Sequence, residues 1–342
     1  MQRIMIMTFN DRGYELGKKI SENIQSEELK EIRVISVASG TLYEKTKEAW
    51  KESYDLVFIS AIGIAVRAVA GLIDSKLEDR AVIAMDEEGK YIVPVLSGHV
   101  GGADRLAREI AGFTGGSAVI TSASDVRGMP AFDEWASEKG FAILNKERIA
   151  PVYDKVLAHE EIKVFCERYD GEVPFTDHQQ ITAVDEDHFP DVIIYGGCDA
   201  GVIKAFIDEY SSMSLIMASR HLIIGVGCRK GISAEKIIDC VNDTCEKKGL
   251  DMRLIGKLAT IDLKKDEEGI KSSCARNRWK FETFPAEELR EVQGDFQASL
   301  FVEETTGVDN VCERAAVRAG GRLLVGKTKY EGVTVAVAIR GS

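Results

Sequence analysis

Short apolar runs alternate with stretches of helical spacing through the first third of the chain, and this alternation restricts the fold more than any other feature. Strand-like runs at Arg3–Phe9, Arg33–Val37 and Asp55–Ser60 are separated by helical patterns over Glu15–Ile24 and Tyr43–Glu52. Strand, helix and strand with connections this short predict an open, mostly parallel sheet flanked by helices. Ala81–Met85 and Tyr91–Val95 flank Asp86-Glu-Glu-Gly89 and read as a hairpin, with Asp86 a turn residue. A helix over Asp104–Ala111, a strand over Ala118–Thr121 and a helix over Phe132–Lys139 continue the pattern.

The pattern restarts near His221. His221–Val226 reads as a strand, Gly227–Gly231 as a tight loop, and Ser233–Lys247 as a helix capped by Ser233. Leu254–Asp262 reads as a helix end leading into a short strand. Pro285–Val292 and Val311–Arg318 read as helices, and Leu323–Lys327 with Val333–Ile339 as a closing strand pair. Between the two patterned ends the signal weakens: strands at Ile162–Phe165 and Asp191–Tyr195, a helix at Gly201–Tyr210, and a polar surface loop over Asp170–Asp187. A chain of 342 residues is too long for one ordinary core. The reading is a multi-domain α/β protein: an N-terminal α/β domain over 1–140, a middle linking module over 141–219 and a C-terminal α/β domain over 220–342.

Charge narrows the partners. The formal net charge is -12, from 44 basic and 56 acidic side chains, and no Lys/Arg stripe is present, which argues against nucleic acid. An anionic small molecule would have to be held locally, by a few cations and by backbone amides at helix starts. No apolar run approaches the roughly 20 residues that span a bilayer, and the first apolar run is too short for a secretion signal. A cytoplasmic protein without a membrane partner is expected. The seven cysteines are odd in number and scattered, without C-x-x-C or Cys/His clustering, so reduced thiols and no metal site are expected.

Three glycine-rich loops carry the candidate chemistry. In Ser97-Gly-His-Val-Gly-Gly-Ala-Asp104, Gly98, Gly101 and Gly102 let the backbone approach a ligand and aim amides at it. His99 is the side chain there that exchanges protons near neutral pH, and Asp104 either orients it or caps the following helix. The alternative is a plain turn, with His99 packed locally. Ser60-Ala-Ile-Gly-Ile-Ala-Val-Arg67 ends a strand, and in a parallel sheet its Gly63 and Arg67 would face the crevice of the His99 loop. Arg67 is a carboxylate clamp or a solvated helix arginine. In Gly225-Val-Gly-Cys-Arg-Lys-Gly231 the spacing departs from the dinucleotide fingerprint by one residue, and no Walker Lys-Ser/Thr follows. There Arg229 and Lys230 beside the amides of Gly225, Gly227 and Gly231 would suit carboxylates. Cys228 is either a thiol of depressed pKa or a small packed residue. Asp125 enters the crevice or makes a turn, and His159, His178, His188 and His221 read as surface or strand-end residues.

Taken together, Ser97-Gly-His-Val-Gly-Gly-Ala-Asp104 and Thr121-Ser-Ala-Ser-Asp125 resemble the N-terminal part of the cobalt-precorrin-5A hydrolases (CbiG), with Asp104 in place of the usual Asn. Gly225-Val-Gly-Cys-Arg-Lys-Gly231, Leu258-Ala-Thr-Ile-Asp-Leu-Lys264, Val311-Cys-Glu-Arg-Ala-Ala316 and Gly332-Val-Thr-Val-Ala336 resemble the C-terminal domain of that family, and also CobE of the aerobic cobalamin pathway. The resemblance implies hydrolysis of a cobalt-corrinoid. Water opens the ring A δ-lactone, and C-20 leaves with its methyl group as acetaldehyde. The substrate brings the cobalt, so no cofactor of the chain's own is implied, and hand-off to other cobalamin-pathway enzymes would follow. On this reading His99 is the base, with Asp104 or Asp125 orienting it. The Gly101 and Gly102 amides hold the oxyanion, and Arg67, Arg229 and Lys230 hold carboxylates of a macrocycle between the terminal domains. The rivals are a non-enzymatic corrinoid carrier and a phosphate-binding α/β regulator.

Overall fold

The computed structural model describes residues 2–24, 30–74, 79–98, 101–121, 131–185, 188–197 and 199–340. His99 and Asp125 lie outside the described residues. The chain divides into two compact units, Met1–Ser137 and Glu138–Ser342.

The first unit runs β1 (Gln2–Thr8), α1 (Asp11–Ile24), β2 (Lys30–Ser36), α2 (Leu42–Lys51), β3 (Asp55–Ile59), α3 (Ile62–Val69), β4 (Val82–Met85), β5 (Tyr91–Leu96), α4 (Ala103–Thr114), β6 (Ser117–Ala118) and α5 (Phe132–Lys139), the last crossing the unit boundary. Its sheet has the order β2-β1-β3-β4-β5-β6. Strand alternation sorts the core. Ile4, Ile6, Val57 and Ile59 pack with Ile20 and Ile24 of α1 and Leu106 and Ile110 of α4. Met5, Met7, Leu56 and Phe58 face Ala49 of α2 and Ala65, Ala68 and Val69 of α3. A strand apolar at every position is one covered on both faces, as expected for a central parallel strand. The β1 to β4 ladders are parallel, whereas β5 turns back antiparallel to β4 and β6 follows β5 in parallel. Asp86 makes that reversal by accepting from the amides of Glu88, Lys90 and Tyr91 at 2.8, 3.2 and 2.6 Å.

The second unit holds two sheets. The first comprises β7 (Phe141–Ile143), α6 (Ile149–Leu157), β8 (Ile162–Glu167), β9 (Ile181–Val184), β10 (Val192–Tyr195), α7 (Ala200–Tyr210) and β11 (Leu215–Ser219), in the strand order β7-β11-β10-β8-β9. The polar stretch expected as loop therefore contains an edge strand. β9 buries one of its four residues, Ile181, and gives little apolar signal. The second comprises β12 (Leu222–Cys228), α8 (Ala234–Lys247), β13 (Ile255–Ile261), α9 (Glu268–Asn277), β14 (Lys280–Phe284), α10 (Ala286–Glu291), α11 (Leu300–Thr306), α12 (Cys312–Arg318), β15 (Gly321–Tyr330) and β16 (Val333–Arg340), in the order β14-β13-β12-β16-β15. Leu254–Asp262 is strand along most of its length rather than a helix end. Ser233 caps α8, its Oγ accepting from the Lys236 amide at 3.2 Å. The α/β class with mostly parallel sheets thus holds, the parallel strands of each sheet being joined by antiparallel partners at one side.

Candidate functional sites at two sheet edges

In the first unit the chain leaves β5 through a loop whose glycines have separate steric reasons. Ser97 is left-handed, with φ 57°. The loop then curls back, so that the amides of Ala103 and Asp104 donate to the carbonyls of Ser97 and Gly98, each at 3.1 Å. A Cβ on Gly101 would stand 2.2 Å from the Ser97 Cβ, and one on Gly98 would stand 2.6 Å from an Asp104 carboxylate oxygen. Gly102 caps α4 with φ 85°, a conformation that costs a side-chain-bearing residue about 1 kcal/mol or more. Asp104 is 4% exposed and its carboxylate lies close to the Gly98 backbone. The Ser97 Oγ is buried and makes no hydrogen bond among the described residues. A non-glycine residue held at positive φ with an orphaned hydroxyl is the kind of local cost that collects at functional loops.

Direction separates this loop from the Gly63–Arg67 segment, and here the single shared crevice is corrected. Ile59 pairs with Met85, and Met85 pairs with Ile92 near the start of β5. The end of β5, Leu96, instead pairs with Val82 at the opposite edge. The hairpin reverses the chain, so Ser97 and Ser60 lie across the sheet, roughly 10–13 Å of strand apart. Arg67 is exposed and folds back on its own helix, donating to the Gly63 carbonyl at 3.0 Å. β6 runs parallel to β5, with Ser117 beside Tyr91 and Ala118 beside Ile92.

In the second unit four motif segments meet at the carboxyl end of β12. Gly225 lies within the strand under α12, where a Cβ would fall 1.7 Å from the Cys312 carbonyl oxygen. Gly227 pairs with Thr334, whose Oγ1 donates to the Gly227 carbonyl at 3.2 Å. Thr260 donates to the Val226 carbonyl at 2.6 Å, and the Arg229 amide donates to the Gly332 carbonyl at 2.9 Å. The connection leaving β12 through α8 and the one leaving β14 through α12 run in opposite directions along the sheet. Right-handed crossovers therefore place them on opposite faces, and the carboxyl end of β12 is the usual ligand position in such sheets.

The loop's amides are partly spent. Gly231 donates to Glu267 Oε1 at 2.7 Å, and the other oxygen of that carboxylate pairs with Lys264 at 3.1 Å. Arg229 and Lys230 are exposed and join no ion pair among the described residues. Burial pushes the Cys228 thiol up to about 11, with Lys264 lowering it and Glu267 raising it less strongly. Cys228 is half-buried in that loop. Sequence reasoning missed Lys327, which is 9% exposed on the inner face of β15, and Glu313, which is 2% exposed on α12. The signal lay in the alternation Leu323, Val325, Lys327, which sets a lysine on an apolar face. Among the described residues no group of three or more His, Cys, Asp or Glu side chains could hold a metal ion, and no helix is long and apolar enough to cross a membrane.

The two edges coincide with what the chain resembles. The family described as cobalamin synthesis G N-terminal matches residues 44–125, and cobalamin synthesis G C-terminus matches 222–338. Cobalt-precorrin-5A hydrolase of Salmonella typhimurium is 28% identical over 99% of this chain and 98% of its own. The enzyme of the same name from Priestia megaterium is 29% identical over 95% of this chain and 86% of its own. A crystal structure of CobE, a protein from the cobalamin biosynthetic pathway, aligns with 28% identity over 35% of this chain and 89% of that one, at a TM-score of 0.33. Both halves of the family match in chain order, one across the Ser97–Asp104 loop and the other across the β12 crevice, and the chain belongs to the cobalamin synthesis G (CbiG) family.

Proposed function

We propose that this chain is a cobalt-precorrin-5A hydrolase of cobalamin biosynthesis. The observation that carries this reading is end-to-end similarity to hydrolases of that name, over 99% and 95% of the chain. Water opens the ring A δ-lactone of the substrate, and C-20 leaves with its methyl group as acetaldehyde, giving cobalt-precorrin-5B. The cobalt belongs to the substrate. The chain's part is to supply a base for water, donors for the tetrahedral oxyanion and cations for peripheral carboxylates.

We assign the chemistry to the Ser97–Asp104 loop. His99 takes the proton from water, with Asp104 or Asp125 as its orienting carboxylate. The amides of Gly101 and Gly102 hold the oxyanion, and the Ser97 hydroxyl, which has no partner among the described residues, donates to a substrate oxygen. Arg229 and Lys230, exposed at the β12 crevice, hold acetate or propionate groups. We further read residues 1–140, 141–219 and 220–342 as three domains, each with its own sheet, and place the protein in the cytoplasm, where its product passes to later enzymes of the same synthesis.

An anaerobic assay with cobalt-precorrin-5A tests the reaction. Acetaldehyde release by the unaltered chain is expected; tight corrinoid binding without release would favour a carrier. His99→Ala should lower kcat by about 100-fold or more. Release within a few-fold of the unaltered chain would remove His99 from the role of base.

A further inference from the structure

We infer that Lys327 is an anion-binding residue of the β12 crevice, and that its ammonium takes up one peripheral carboxylate of the substrate. The identity of the ligand rests on the hydrolase reading; the anion site itself rests on the packing around the lysine.

Lys327 is nine-tenths buried, yet its Nζ has one acceptor, the Gln297 carbonyl, at 3.5 Å. An ammonium carries three donors, and 3.5 Å lies beyond the usual range for an N–H···O bond. Among the described residues it joins no ion pair. Its remaining donors are unfilled, and a buried donor without an acceptor carries a desolvation penalty.

The surroundings fix the strand that carries the lysine and leave donors of its ammonium unfilled. The register of β15 against β16 slips between Val325 and Thr328, a bulge that re-aims the intervening side chains. The freed Lys327 amide is taken by Glu313, whose Oε1 accepts it at 2.6 Å. The second oxygen of Glu313 accepts from the Gln297 amide at 2.8 Å and from the Asn310 side chain. Glu313 thus spends its carboxylate on holding β15, the 297 segment and the start of α12 together. Thr328 pairs with Val335, and Val335 pairs with Val226, so Lys327 stands level with the end of β12, two strands across. The same edge holds Gly227, Thr334 and Arg229. A positioned, partly desolvated cation beside that edge is what a polycarboxylate ligand would find there.

Lys327→Met keeps most of the apolar stem of the side chain and removes the charge. The probe is cobyrinic acid, a corrinoid whose acetate and propionate groups are free acids, titrated by calorimetry into the unaltered chain and the variant. The expected result is a Kd raised at least 10-fold in a variant that still unfolds cooperatively. With cobalt-precorrin-5A, KM should rise by a similar factor while kcat stays within about three-fold. A Kd within two-fold of the unaltered chain overturns the assignment, as does a lower Tm with the Kd unchanged. Should Lys327→Met not fold, Lys327→Gln, which keeps a donor for the Gln297 carbonyl, reads the same constants. Failure of both to fold would make the lysine structural and overturn the site. Absence of acetaldehyde from the unaltered chain would overturn the hydrolase reading alone, since the cobyrinic acid comparison does not depend on turnover.

Discussion

At the scale of single residues, the buried polar groups divide into those whose partners are internal and those that await one. Arg3 belongs to the first kind. Its side chain is fully buried and donates to Glu31 at 3.0 Å, to the Glu52 carbonyl at 2.8 Å and to the Tyr54 hydroxyl at 2.8 Å. Burial alone would push the Glu31 carboxyl up. The Tyr54 hydrogen bond and the charges of Arg3 and Arg33 outweigh that and hold it below its ordinary 4.5. A carboxyl lowered in the folded state adds stability that is complete above its unfolded value and fades as pH falls through the lowered one. Urea midpoints should therefore decline below about pH 4.5, and Glu31→Gln should flatten that decline. Arg3→Met, which strands Glu31 and Tyr54, should cost about 3–5 kcal/mol in urea unfolding at pH 7. Ser97 is of the second kind. Ser97→Ala removes a buried hydroxyl with no partner among the described residues, so stability should hold within about 1 kcal/mol. If the hydroxyl meets substrate, kcat/KM for acetaldehyde release should fall about 10-fold or more; an unchanged value would leave Ser97 a backbone element only.

Among the elements, those with strong local signals were readable and those defined by pairing were not. Helix α5 appears at the residues its spacing predicts, Phe132–Lys139, and Ser233 caps α8 as expected. The hairpin at Asp86 was legible from its turn residues, but its consequence was overlooked: an antiparallel β5 must deliver Ser97 to the edge opposite Ser60. β9 and β14 are short, with one of four and one of five residues buried, and edge strands of that kind carry little periodicity. For Lys327 the alternation with Leu323 and Val325 was the one local sign; its burial depends on α12 packing over β15 and on a bulge.

The whole molecule is two compact units with separate cores. The clusters around Ile6 and around Met7 lie entirely within Met1–Ser137, and the cluster around Ile223 and Ala316 lies within Glu138–Ser342. Fragments 1–137 and 138–342 should each unfold cooperatively by calorimetry; a fragment that melts without a cooperative transition would show that its core needs the other. Short-range chemistry alone specified the α/β class, the glycine loops and the family, because strand alternation, helical spacing and turn residues act within about ten neighbours. Which loops share an edge, which glycine serves packing, and which buried lysine keeps unfilled donors were decided by tertiary structure. Those properties arise where strands distant in the chain pair, and the direction of pairing, not the spacing of residues, sets what each strand end faces.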